Sequence, residues 1–495
     1  MGRRILPFGV LLLAFTLRSV ALNTRPLWYD EAFAVLFAEK GFSAMLAGTL
    51  TPVAGAASDV HPVAYYTALK GWMQVFGGSP FSARLLSVFA GLLTVAVAYA
   101  IGRRLFNGWA ATVGMLIVAV SPFQVYYVQE TRMYAPLTLF CALTVLFFLY
   151  AARNTQYQIR NWLGLALSAA LAVYMQNLAA FFLLAFGLST LRRPKVFAKM
   201  AAAGVAAFAL WLPWFLNLPG QFAKLQQAYW VTRPDFVTLL QTLLVYHAGE
   251  ELVAARALLP LALFTAVVLP VFLGWQILKQ RREASTKNAL WLTALAVGTP
   301  LLLFLASLYQ PVYIQRALLP ASLTYSIALG WLLAEAAMPT LIRIVLGGLL
   351  AVTAIAGLWA HYTFARFPRP DFPAAVAFLR QSAGPGDVIL HSNKLTFLPM
   401  HYYDRALAQS FLADPPGSGS DTLALPTQKV LGLFAVNDAE AATRGAGRVW
   451  FVIFDRAIEE ATPEQHPHLA WLESQYALRN TTHVGDLRVY EFVKR

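Results

Sequence analysis

A single cysteine, Cys141, occurs in 495 residues and lies inside an apolar run, which excludes an intramolecular disulfide and any cysteine-based metal centre. Its plain role is that of a small core residue. Charge is scarce as well: 13% of residues are charged against 58% hydrophobic, with a mean hydropathy of +0.57. That balance excludes a soluble globule for roughly the first 360 residues, because apolar runs of about 18 to 25 residues recur and match bilayer thickness. Acids number 24 against 38 Lys and Arg, for a net charge of +14. The basic residues sit in short clusters between apolar runs instead of forming one face, so they set membrane orientation, and nucleic acid is excluded as a partner. The chain carries no P-loop and no glycine-rich dinucleotide fingerprint. The loops expected to face outward also lack an Asp-Xaa-Asp nucleotide-sugar motif, and no repeat of solenoid period is present.

What is present is a series of about eleven apolar spans. They lie near residues 5–22, 83–102, 109–126, 134–152, 161–176, 178–191, 199–217, 257–278, 289–308, 317–336 and 340–361. With that count, Arg3-Arg4, Arg103-Arg104, Arg153 with Arg160, Arg192-Arg193 with Lys195, and Lys279 through Lys287 all fall on one side, which the positive-inside rule makes cytoplasmic. The opposite side receives residues 23–82, 127–133, a short turn near 177, 218–256, 309–316 and everything after about 362. Arg3-Arg4 followed by an apolar core and Ser19-Val20-Ala21 also fits a cleaved signal peptide, although Arg18 breaks that pattern. Either way, residue 30 lies outside.

The tail changes character, with Pro368, Pro370, Pro385 and Gly-Ser runs, and charge returns. Residues 387–391, 448–454 and 487–493 read as strands and 371–381 as a helix, whereas 411–430, rich in Pro, Gly and Ser, read as a mobile loop. The expected architecture is a polytopic α-helical membrane protein over residues 1–362 and a small soluble α/β domain over 363–495.

The polar residues of the outward loops carry the chemistry. Leu27-Trp28-Tyr29-Asp30-Glu31 places two carboxylates just outside the first span, where they are costly to hold near lipid. The same loop holds Asp59, His61-Pro62 and Tyr65-Tyr66; the second holds Gln129-Glu130-Thr131-Arg132-Met133-Tyr134; the fifth holds Tyr309, Tyr313, Gln315 and Arg316. A carboxylate there can take a proton from an acceptor hydroxyl. Arg132 or Arg316 can grip a phosphate with paired hydrogen bonds. Those are the two halves of a transfer from a phosphate-linked donor.

Plainer roles stand beside each of these. Asp30 could cap a juxtamembrane helix, His61 could shape a turn before Pro62, and the two arginines could reach toward lipid headgroups. Trp28, Tyr65, Tyr66, Tyr126 and Tyr127 could form an interfacial belt. One histidine beside Asp59 supplies too few ligands for a metal.

The ordered set of short motifs resembles the GT-C superfamily of integral-membrane glycosyltransferases, in the family-39-like branch of protein mannosyltransferases and the lipid A aminoarabinose transferase. The carrying residues are Trp28-Tyr29-Asp30-Glu31-Ala32, His61-Pro62-Val63-Ala64-Tyr65-Tyr66, Ser82-Ala83-Arg84-Leu85 and Gly102-Arg103-Arg104-Leu105-Phe106. Ser121-Pro122-Phe123, Tyr126-Tyr127, Gln129 through Tyr134 and Leu212-Pro213-Trp214 follow in order. The resemblance implies a GT-C-like fold of about 11 transmembrane helices and an inverting single displacement from a polyprenyl-phosphate monosaccharide, with no nucleotide-binding fold. It makes Asp30 the catalytic base, with Glu31 and Glu130 as the other acids of the site. Arg132, Arg316, His61, Tyr65 and Tyr127 fall on the donor side. No cofactor is implied with certainty; a divalent metal is left open, with Asp59 and His61 as weak candidates. The acceptor would be a protein, lipid or polysaccharide, and the setting a bacterial inner (plasma) membrane with the site and tail extracytoplasmic.

The chain departs from the family pattern at Val63-Ala64, at residues 43–57, which read as an extended loop, and at Arg316-Ala317. Two rival readings remain: a multi-span lipid or glycolipid transporter or flippase, and a non-catalytic membrane scaffold.

Overall fold

The computed structural model of the protein describes residues 2–53, 59–152, 157–227, 230–256, 258–364, 367–414 and 423–495. It divides into two compact units, each assembled from separate stretches of chain. The first comprises Met1–Leu22, Arg84–Leu216 and Val231–Phe364; the second comprises Asn23–Ala83, Asn217–Trp230 and Ala365–Arg495.

The helices run in chain order. They begin with α1 (Gly2–Ser19), α2 (Tyr29–Ala38), α3 (Phe42–Leu50), α4 (Ala64–Phe76), α5 (Pro80–Leu105) and α6 (Gly108–Val120). Next come α7 (Pro122–Val128), α8 (Tyr134–Ala151), α9 (Gln158–Met175), α10 (Ala179–Leu188), α11 (Pro194–Phe215) and α12 (Leu218–Gln227). Then follow α13 (Phe236–Ala255), α14 (Leu259–Lys279), α15 (Ala284–Tyr309), a 3-10 turn over Gln315–Leu318, α16 (Leu319–Ala334) and α17 (Thr340–Thr363).

Ten of the eleven expected spans each fall on one helix of this series, and 109–126 falls on the bent pair α6–α7. Among the described residues, seven helices are long and apolar enough to cross a membrane, and the α6–α7 pair, bent by 56°, makes an eighth. Ile5–Ser19 and Ala179–Leu188 are apolar but shorter. Large apolar side chains such as Phe264, Val267 and Val271 on α14 stay more than half exposed on the first unit, as lipid permits and water does not. The protein is therefore an integral membrane protein.

Local chemistry sets the helix boundaries. Asn107 caps α6 by accepting from the N–H groups of Trp109 and Ala110, both at 2.9 Å. Pro122 opens α7 at a position where the missing N–H costs nothing, behind a Ser121 cap. α6 crosses α16 through two glycines: a Cβ built on Gly330 would stand 2.5 Å from the Gly114 Cα and 2.7 Å from the Ala110 carbonyl oxygen. Both obstacles are backbone, so a Gly330→Ala change must push the helices apart. The expected cost is about 1–3 kcal/mol of overpacking, read as a lower unfolding temperature in detergent. Gly347→Ala on α17, where nothing lies within 4 Å, should leave that temperature unchanged.

The second unit adds α18 (Phe372–Ser382), α19 (Lys394–Tyr403), α20 (Leu425–Leu431), α21 (Ala439–Ala442), α22 (Asp455–Ala461) and α23 (Pro467–Gln475). Its strands are β1 (Val388–His391), β2 (Gln409–Leu412), β3 (Ala435–Val436), β4 (Arg448–Phe454), β5 (Tyr476–Val484) and β6 (Leu487–Lys494), in one sheet of order β3-β2-β1-β4-β6-β5. β1 pairs parallel with β2 and β4, whereas β6 runs antiparallel to β4 and β5. From Val449 to Phe454 β4 is apolar without interruption because both of its faces are covered. Val449, Phe451 and Ile453 join one core, and Trp450, Val452 and Phe454 the other.

Three expectations require correction, the first being that residues 218–256, expected as a loop, hold α12 and the 20-residue α13. Residues 43–50 are not an extended loop: Phe42–Leu50 is helical, its Ala, Met and Leu favouring a helix ahead of Pro52, while 54–58 lie outside the described residues. The ends of the stretch expected as a mobile loop are ordered in β2 and α20, and its centre, 415–422, lies outside the described residues.

Candidate active site

In the second unit, α2 carries the Asp30-Glu31 pair in its first turn. Trp28, extended at φ −90 and ψ 179, holds the cap position, so Asp30 is not the N-cap. Glu31 and Ala32 donate their N–H groups to the Trp28 carbonyl at 3.1 and 2.9 Å. Asp30 is half-buried, but Glu31 is fully buried and paired with Arg369, Nη1 to Oε2, at 2.7 Å. Arg369 also reaches the Pro26 carbonyl at 3.4 Å, and its guanidinium lies 5.6 Å from the centre of the Trp28 ring. The Leu27 N–H donates to the Tyr403 hydroxyl at 2.8 Å, and Lys394 Nζ lies 5.9 Å from the Tyr29 ring. At the other end of α2, Arg405 holds Glu39 with two bonds of 3.0 and 2.8 Å.

The remaining motif residues of this unit lie in a turn and in its interior. The His61 N–H donates to Asp59 Oδ1 at 3.0 Å, closing a turn into Pro62. Tyr65 and Tyr66 are fully buried, with Tyr66 edge-on to Phe37 at 5.2 Å, so neither belongs to a lipid-facing belt. Lys224 on α12 donates to the Thr49 carbonyl; burial lowers the pKa of its ammonium, and the Asp59 carboxylate opposes that shift. Among the described residues no group of three or more His, Cys, Asp or Glu could hold a metal ion.

In the first unit the turn between α7 and α8 is packed inward. Gln129, Glu130, Thr131 and Arg132 are all buried, which takes Arg132 away from the headgroup position. Gln129 Nε2 donates to the carbonyls of Leu17, Arg18 and Val20 at 3.1, 3.1 and 2.8 Å, tying this turn to the end of α1. With its amide so committed, Gln129 Oε1 accepts from His361 Nε2 at 2.8 Å, and His361 Nδ1 faces Glu251 Oε2 at 2.7 Å. Tyr127 donates its hydroxyl to Glu250 at 2.7 Å and stacks edge-on to Tyr134 at 5.5 Å. Arg316 lies 5.3 Å from the Tyr134 ring. Glu130, Glu250 and Arg316 all lie within electrostatic reach of the Tyr127 phenol. The structure thus brings Tyr127, Glu130 and Arg316 together, whereas Asp30, Glu31, His61 and Tyr65 belong to the other unit.

Sequence reading missed Glu250 and Glu251. They follow Gly249, which sits at φ +75 and interrupts α13. A Cβ there would come 2.9 Å from Pro122 Cβ, so only glycine allows α13 to turn against α7. That turn sends Glu250 to Tyr127 and Glu251 to His361. The available signal was the adjacent acidic pair in an otherwise apolar stretch, the same feature that marked residues 30 and 31.

No curated protein matches the chain. Residues 60–215 match the family model described as dolichyl-phosphate-mannose-protein mannosyltransferase. The fold is similar to that of ArnT from Cupriavidus metallidurans in the apo state, with a TM-score of 0.65 and 13% identity over 98% of this chain and 97% of that one. Against ArnT bound to undecaprenyl phosphate the TM-score is 0.59, with 14% identity over 98% and 97% of the two chains. The archaeal oligosaccharyltransferase AglB from Archaeoglobus fulgidus, in complex with an inhibitory peptide and a dolichol-phosphate, is similar at a TM-score of 0.52, with 12% identity over 95% of this chain and 72% of that one.

Proposed function

We propose that this chain, a membrane protein with the fold of the GT-C glycosyltransferases, moves a monosaccharide from a polyprenyl-phosphate donor to an acceptor hydroxyl by inverting single displacement. The observation that carries the reading is a fold shared over nearly the whole chain with ArnT, one of whose structures holds undecaprenyl phosphate. The lipid tail of such a donor stays in the bilayer, so only the phosphate and sugar need polar surroundings, and no nucleotide fold is required.

Asp30 accepts the proton of the acceptor hydroxyl as its oxygen attacks the anomeric carbon. The bond from that carbon to the phosphate oxygen breaks, and polyprenyl phosphate departs with the electron pair. Because the phosphate gains a negative charge in that step, a guanidinium placed on it stabilises the transition state more than the ground state. Arg316, beside Tyr134, fits that role, with Arg132 as its partner. Glu130 and the Tyr127–Glu250 pair supply sugar-binding polarity, since a carboxylate beside a phosphate would otherwise repel it. Glu31 is assigned to its ion pair with Arg369, and His61 with Asp59 to the turn that shapes the loop. The reaction is placed on the extracytoplasmic face of a bacterial inner membrane, as the basic clusters support.

Purified protein incubated with a panel of polyprenyl-phosphate sugars should convert at least one of them to polyprenyl phosphate plus a glycosylated or hydrolysed product. Equal recovery of every intact donor, with the protein folded, would remove the assignment.

A further inference from the structure

The contacts on residues 26–31 come from the C-terminal stretch of the second unit, far along the chain, and they converge on the residues around Asp30. We propose that Arg369 is a positioning residue for Asp30: by holding Glu31 and the Pro26 carbonyl it fixes the first turn of α2 and with it the carboxylate between them. The inference rests on the reading of Asp30 as the base.

Arg369 and Glu31 are 338 residues apart in sequence, and their side chains are 3% and 0% exposed. A buried pair of this kind is a poor source of stability, since removing two charges from water costs about as much as their attraction returns. What it provides is direction. A guanidinium offers five donors in a rigid plane, so one group can hold a carboxylate and a carbonyl at a fixed mutual angle. Here those acceptors flank Asp30 in the sequence, and the guanidinium lies 5.6 Å from the centre of the Trp28 ring. The mount is stiff, because Pro370 confines Arg369 to extended backbone and Pro368 precedes it. Tyr403 holds the Leu27 N–H, and Arg405 holds Glu39 at the far end of the helix. The Arg405 pair is largely exposed and so contributes little by itself, whereas the pair at the Asp30 end is buried. A displacement on the order of 1 Å in a catalytic group costs roughly a hundredfold in rate.

The test compares Arg369→Met, Arg369→Lys, Glu31→Gln, the double variant Glu31→Gln/Arg369→Met and Asp30→Asn in the full-length protein. Donor turnover and donor KM are measured separately, alongside the unfolding temperature. Arg369→Met should lower kcat by about 10- to 100-fold with donor KM within about threefold of the parent. Arg369→Lys, which keeps the charge opposite Glu31, should recover part of that loss. The double variant should be no slower than Arg369→Met alone, because it no longer buries an uncompensated carboxylate. A folded Arg369→Met protein with parental kcat overturns the inference, as does a loss that appears equally in KM and is not relieved by Lys. If Arg369→Met does not fold, Arg369→Lys and Glu31→Gln decide, and parental kcat in both overturns the inference. Near-parental activity of Asp30→Asn would instead remove the base assignment, a result distinct from failure of the Arg369 variants.

Discussion

Replacing Asp30 with Asn should lower turnover by roughly 10²- to 10⁴-fold, the range for loss of a general base, while donor binding survives. Asparagine keeps the size and the hydrogen-bonding reach of the side chain and removes only the capacity to take a proton. The two acids differ in their surroundings. Glu31 is fully buried against Arg369, whereas Asp30, one residue earlier, is half-buried in the first turn of α2 and is not spent on capping it. Glu31→Gln should therefore be the milder change. Product formation at saturating donor and acceptor is the measurement; a Glu31→Gln loss exceeding that of Asp30→Asn would exchange the two roles.

Replacing Arg316 with Lys should weaken donor affinity by about 1–3 kcal/mol even though the formal charge is retained. Lysine is a point charge and cannot present the planar pair of donors that matches two phosphate oxygens. Arg316 is partly exposed beside the Tyr134 ring, with Tyr127 and Glu250 in the same cluster, whereas Arg132 is buried. The Arg316 change should accordingly be the larger of the two. Affinity for a polyprenyl-phosphate sugar, measured apart from acceptor affinity, reads the effect. Parental affinity in both Lys variants would leave the arginines as interior packing groups and send the search for the phosphate to Lys224 and Lys394.

The membrane part of this fold was legible because the length and hydropathy of a span are properties of local composition. The β4 run was legible for a similar reason: a strand covered on both faces is apolar throughout. β5 was not, since as an edge strand it keeps Ala477, Leu478, Arg479 and Asn480 exposed and lacks an apolar run. β2 and β3, of four and two residues, are too short to carry a pattern. α13 was read as loop because Gly249 and two glutamates interrupt its apolar periodicity, and the helix does break at that glycine.

The candidate site divides along the same line. Asp30, Arg316, Glu130 and Tyr127 stood out because polar residues beside apolar spans need a reason to be there. Arg369 did not, because between two prolines it resembles a linker, and its partner lies 338 residues away. Pairings at that distance are set by tertiary packing and leave no trace in local pattern. His61, Tyr65 and Tyr66 were conspicuous by motif, and they lie in a turn closed on Asp59 and in a buried aromatic cluster.

The proposed reaction breaks the sugar–phosphate bond of a polyprenyl-phosphate monosaccharide with Asp30 as base. A single-turnover reaction tests it most directly, with purified parent and Asp30→Asn proteins, a donor labelled in its lipid phosphate and a saturating acceptor. The account expects polyprenyl phosphate to be released by the parent, with a product of inverted anomeric configuration, and release by Asp30→Asn to be at least about a hundredfold slower at equal donor occupancy. Equal release rates in the two proteins, or a product of retained configuration, would contradict it.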